Sequence, residues 1–166
     1  MKIKSLITKV LDILTVITFI ALISVVVLQV LGRTPLLPKA FHWTEEVTRM
    51  LFLFLISVAS ISAVLHNEFV SVDLFTSRLQ GKVLLIYNTI IHFVLGIFLL
   101  YLIPAGIKFM NLGARQLSPG LRVNMKYVHS LILLSLAGMA LAHIYMGTNN
   151  LISLKNRNKE RRFNND

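Results

Sequence analysis

The stretch Val83–Ile107, VLLIYNTIIHFVLGIFLLYLIPAGI, holds 25 residues and no charge. About 20 apolar helical residues cross the hydrocarbon of a bilayer. This run exceeds that, so it reads as a membrane-spanning helix that tilts or projects past the headgroups. Pro104 and Gly106 near its end predict a bend or a stop there.

Three further runs share this character. Ile13–Gly32 is uncharged over 20 residues, Val47–Leu65 carries only Arg49 near its start, and Tyr127–Leu154 is uncharged over 28. The predicted fold is all-α and integral to a membrane, with four transmembrane helices at about 10–32, 47–65, 83–107 and 127–150. These make one membrane domain, residues 1–154, followed by a basic polar cytoplasmic tail, 155–166, expected to be frayed. Lys2, Lys4 and Lys9 ahead of the first run look like the n-region of a signal peptide. The apolar part is too long for an h-region and no A-x-A signature follows, so an uncleaved span is expected.

The composition agrees: 55% of the 166 residues are hydrophobic, and mean hydropathy is +0.73. The net charge of +10, from 17 basic and 7 acidic residues, would suggest nucleic acid in a soluble protein. Here the cations flank apolar runs, which suits membrane lipid headgroups and topology control, and no nucleic-acid partner is expected. There is no cysteine, which excludes disulfides and thiolate metal sites.

Four spans put both termini on one face. That face holds ten basic residues: three before the first span, Arg78 and Lys82 in the second loop, and five in the tail. The other face holds seven: Arg33, Lys39, Arg49, Lys108, Arg115, Arg122 and Lys126. The excess predicts cytoplasmic termini. The loop Lys108–Lys126 carries four bases and no acid, and Gly113, Ser118, Pro119 and Gly120 make it rich in turns. A basic loop on the outer face calls for an acidic partner. In the second loop, Val72, Phe75 and Leu79 fall on one helical face, which predicts a short interfacial helix within Ser71–Gln80.

Polar residues gather at the mouth of the second span, in Phe41–Arg49, FHWTEEVTR. Pro35 and Pro38 end the preceding helix. Phe41 and Trp43 suit the aromatic belt at the interface. Thr44 has the chemistry of an N-cap, and Glu45 and Glu46 follow where the helix dipole favours negative charge. Arg49 stands four residues after Glu45 in the favourable order for an ion pair. These residues together make a helix cap and interface anchor; the competing readings are an ion or proton site and a protein-docking patch.

The string Trp43–Phe54, WTEEVTRMLFLF, followed by His66–Phe75, HNEFVSVDLF, resembles the small membrane subunit of tripartite ATP-independent periplasmic (TRAP) transporters, the DctQ-like family. The resemblance covers nearly the whole chain in layout and is specific only in these two segments. It implies a subunit that packs against a large elevator-type membrane subunit as part of its static scaffold. It further implies help in docking a periplasmic substrate-binding protein for sodium-driven uptake of an organic acid. The general look is close to the sialic acid members, with C4-dicarboxylates and other organic acids left open. The family places substrate and sodium sites in the large subunit, so no catalytic residue, cofactor or metal is expected in this chain. Under the resemblance, Arg33, Lys39, Arg115, Arg122 and Lys126 become candidates for steering an acidic patch of the binding protein.

Within the spans, Ser57, Ala59, Ser60 and Ala63 in the second and Gly138 and Ala142 in the fourth are small residues that let backbones approach, so they are candidate helix-packing positions. Two other functions remain open at this point. His92 and His143 lie at similar depth in two spans, as the axial ligands of a four-helix haem b electron carrier do. A small proton-coupled exporter needs a membrane carboxylate, for which Glu45 and Glu46 are the candidates. No enzyme is expected: Ser130 beside His129 has no nearby acid to orient the histidine.

Overall fold

In the computed structural model, the backbone is described for residues 2–34, 42–66, 68 and 81–163, and side chains for 4–34, 43–66, 68 and 81–155. Among the described residues four helices form: α1 (Lys2–Leu31), α2 (His42–His66), α3 (Lys82–Gly113) and α4 (Met125–Phe163). Each contains a segment long and apolar enough to cross a membrane: Lys4–Leu31, Trp43–His66, Lys82–Gly113 and Met125–Lys155. Among the described residues the only β-type pairing is the isolated bridge Leu117–Asn124.

The helices outrun the apolar stretches that predict them. Once a helix is nucleated, each added residue gains a hydrogen bond at little further cost, so it continues into the interface. Two expected helix ends are absent for this reason. Pro104 does not stop α3, which runs on to Gly113; a membrane helix tolerates proline where its surroundings reconcile the freed backbone groups. The tail is not frayed from residue 155: α4 stays helical to Phe163. Its Lys and Arg residues are good helix formers and lie at a C-terminus, where the dipole favours positive charge. The expected interfacial helix within Ser71–Gln80, like Pro35, Pro38, Lys39 and Phe41, lies outside the described residues.

α3 packs most extensively on α4, and α2 contacts both α1 and α4. Among the described residues no comparable seam joins α1 to α3, so the helices stand in the order α1–α2–α4–α3, an open layer rather than a closed ring. Lipid solvates apolar side chains as well as a protein core does, so nothing forces the ring to shut. α1 accordingly exposes Ile13, Val16, Ile17 and Ile20.

Small residues and hydroxyls line the seams. Between α2 and α4, Ser57 Oγ lies 2.7 Å from its own helix's Leu53 carbonyl and 2.8 Å from the carbonyl of Leu131 across the seam. The hydroxyls of Ser60 and Ser135 meet at 2.9 Å. Gly138 lies against Ile61, and Ala142 is buried with Val64 and Leu65, with Leu11 of α1 packed against them. Ala59 and Ala63 are half-buried. Between α3 and α4, Gly96 faces Ile144, Gly106 faces Leu133 and Leu136, and Gly147 faces Phe93. α1 is pinned to α2 by Asp12, whose carboxylate accepts from Ser62 Oγ and lies 3.6 Å from His66 Nε2.

Candidate functional site

The described residues 32–34 and 114–124 lie at the end of the layer opposite the start of α1 and the end of α4. α2 begins at His42, so Thr44 is already inside the helix and is not its N-cap. Thr44 is 1% exposed, and Trp43 beside it is exposed. Arg49 makes no ion pair with Glu45: among the described residues the one pair within 4 Å is His66–Asp12. Both Glu45 and Arg49 are exposed; water screens such a pair, so holding two long side chains together gains little.

Glu46 has a different role from the one its position suggests. Its carboxylate accepts three hydrogen bonds from the α3–α4 connection: Gly120 N–H at 2.6 Å, Leu121 N–H at 2.8 Å and Ser118 Oγ–H at 2.8 Å. Two successive amides and a hydroxyl aimed at one point form a concavity that suits an anion. Bonds to a charged acceptor are about twice as strong as neutral ones. The approach at Gly120 is close: a Cβ there would sit 3.3 Å from the Glu46 carboxylate carbon, so the carboxylate would have to give by a few tenths of an ångström.

The clasped segment is a small hairpin. Ser118 N–H donates to Val123 O at 2.9 Å, Met125 N–H to Gln116 O at 3.0 Å, and Val123 N–H to Ser118 Oγ at 3.2 Å. Ser118 is buried and serves both the hairpin and the clasp. Asn124 caps α4, its Oδ1 accepting from Lys126 N–H at 2.9 Å. Arg122 has φ +54°, a left-handed conformation that disfavours residues with a Cβ by about 1–2 kcal/mol. An open cleft of about 700 Å³ lies between the hairpin and the start of α2, with Glu45, Arg49, Met50, Gln116 and Val128 in its wall.

The one acid that reaches this hairpin is therefore engaged by backbone donors and a hydroxyl, not by the basic side chains. Arg33, Arg115, Arg122 and Lys126 are exposed, and none forms an ion pair among the described residues. Lys39 lies outside the described residues. The Pro-Gly turn and the basic loop were visible in the sequence. The clasp was not, because Glu46 and its partners are 72 to 75 residues apart. Asn124 carried a readable signal, an N-cap residue directly ahead of the fourth apolar run.

The geometry also bears on the rival functions. The Nδ1 atoms of His92 and His143 lie 2.9 Å apart, with ring centroids at 5.1 Å. One Nδ1 must carry the proton that the other accepts. Rings in direct contact leave no gap for a porphyrin, so in this arrangement they are not an axial pair. Glu46, the deeper candidate for proton coupling, is held by the hairpin at the end of its helix. Ser130 Oγ–H donates to Tyr127 O at 2.6 Å, while His129 Nδ1 faces Phe109 O at 3.2 Å, so the two do not form a nucleophile–base pair. No described buried side-chain nitrogen or oxygen lacks a partner. Thr15, Thr18, Ser24 and Thr89 each donate to a carbonyl one turn earlier, so these four hydroxyls serve their own helices.

A family model described as the DctQ component of tripartite ATP-independent periplasmic transporters matches residues 22–151, most of the chain. No curated protein matches it.

Proposed function

The chain belongs to the DctQ family of tripartite ATP-independent periplasmic transporter components, and from that membership we propose that it is a static scaffold subunit with a docking face. It is a small multi-pass membrane subunit of a transporter. In the proposed assembly it lies in the bacterial inner membrane with both termini cytoplasmic and packs beside the large membrane subunit. The large subunit moves an organic acid with sodium, and sialic acid is the first substrate to test.

The observation that carries the docking role is the set of exposed cations at the loop end. Arg33, Arg115, Arg122 and Lys126 face outward, while Glu46 is occupied within the chain. A positive face steers and orients an acidic partner. Trp43, Thr44, Glu45, Glu46 and Arg49 then form the foot of this face: Trp43 as interface anchor, Glu46 as link to the hairpin, Glu45 and Arg49 as walls of the cleft. Arg33 and Lys39 would extend the same face along the first connection. Ser57, Ser60, Gly138 and Ala142 serve packing within the chain, on the contacts between α2 and α4, and Ala59 and Ala63 are proposed to serve helix packing as well.

A mild-detergent pull-down of the tagged chain from its native membrane, with mass spectrometry, tests the assembly. A stoichiometric polytopic partner supports the scaffold role. A chain recovered alone or only with itself contradicts it.

A further inference from the structure

We propose that Glu46 is the positioning residue of the docking face: its carboxylate holds residues 118–121 in the shape that presents Arg115 and Arg122 to an acidic surface of the binding protein. This rests on the docking role proposed above and assigns the part that shapes it.

The hairpin has little of its own to hold it. Its internal ties are the isolated bridge between Leu117 and Asn124 and a few local hydrogen bonds, among them Ser118 N–H to Val123 O and Arg122 N–H to Ser118 O, and strands this short do not persist alone in water. Its tip residues are exposed apart from Ser118. What ties the tip to α2 is a single carboxylate with three donors at 2.6–2.8 Å, two of them the amides of Gly120 and Leu121. Arg122 follows these amides directly and takes φ +54°. Glycine or asparagine would suit that backbone better. An exposed arginine in a strained position is accounted for by its side chain, which projects from the clasped turn into solvent.

The sign of one charge separates positioning from electrostatics. Removing an acid makes a basic face more positive. If Glu46 acted only through its charge, Glu46→Ala would bind an acidic partner more tightly. If it positions the hairpin, the same change weakens docking in spite of the added positive charge.

The experiment uses the chain assembled with its large subunit in nanodiscs, titrated with the binding protein of the same system by surface plasmon resonance. Amide exchange at Gly120 and Leu121 is followed in parallel. Glu46→Ala is expected to raise Kd roughly tenfold and to speed exchange at both amides, with assembly unchanged. Arg122→Gly relieves the backbone, so exchange stays slow while Kd still rises. If Glu46→Ala does not assemble, Glu46→Gln and Gly120→Ala disturb the same contact more mildly and are expected to raise Kd in the same direction. A Kd that falls or stays fixed on loss of the Glu46 carboxylate, while Arg115→Glu/Arg122→Glu raises it, overturns the positioning role and leaves docking intact. A double reversal that leaves Kd unchanged overturns the docking role itself.

Discussion

Gly113 and Gly138 both sit where helices touch, and they differ in what surrounds them. A Cβ at Gly113 would lie 2.5 Å from His129 Nδ1 and 2.9 Å from the Lys126 nitrogen and the Met125 carbonyl carbon. Two of those neighbours are backbone at the start of α4 and cannot step aside. At Gly138 the obstacle is the Ile61 side chain, through Cδ1 and Cγ1, rather than backbone. Gly113→Ala is therefore expected to lose about 1–3 kcal/mol and Gly138→Ala distinctly less, by thermal unfolding in detergent. The reverse order would show that the α2–α4 seam is the less yielding of the two. Gly138 could be picked from the sequence as a small residue in a small-residue pattern. Gly113 could not, because its neighbours belong to the next helix and its own surroundings read only as a loop. The histidines make the same point: their similar depth was legible, but the direct Nδ1–Nδ1 contact was not. Purified protein is expected to show no haem band in a reduced-minus-oxidised spectrum; a band would mean that His92 and His143 separate.

At the scale of the element, hydropathy located all four helices, because the bilayer imposes both their length and their composition. It did not locate their ends. Beyond the hydrocarbon, neither charge nor a single proline breaks a helix whose backbone bonds already run through it. Residues 155–163 are the clearest case, since a polar sequence with no apolar periodicity offers no face to read and still continues α4. Spin labels placed singly along 155–163 are expected to show low mobility and an accessibility period near the roughly 3.6 residues of an α-helix. Uniformly high mobility would mean that the helix ends with its apolar run. The hairpin 116–125 fails in the opposite sense: its turn residues were plain, but its shape comes from an acid on another element.

For the whole molecule, the order α1–α2–α4–α3 was beyond sequence reasoning, because four apolar helices can be arranged in several ways with equal burial of apolar surface in lipid. The absence of natural cysteine makes that order testable with engineered pairs. Cysteine pairs across α1–α2, α2–α4 and α4–α3 are expected to cross-link efficiently in membranes, while mid-membrane pairs between α1 and α3 are not. Strong α1–α3 cross-linking would mean a closed ring. An open layer leaves α1 and α3 at its two edges, so whatever joins the α1–α2 half to the α3–α4 half matters more than it would in a closed ring. Glu46 is one such join. Ser118 and Leu121 leave the ribosome 72 and 75 residues after it, about 4–15 s later at 5–20 residues per second. Through that interval the second span can be inserted with its carboxylate unmatched, and only passage of the third span brings the matching amides to the same side. A chain stalled or threaded the wrong way carries the same arginines on an unshaped loop. The clasp thus records in its geometry that the third span has crossed, and a partner that recognises the clasped form engages only subunits that have passed that step.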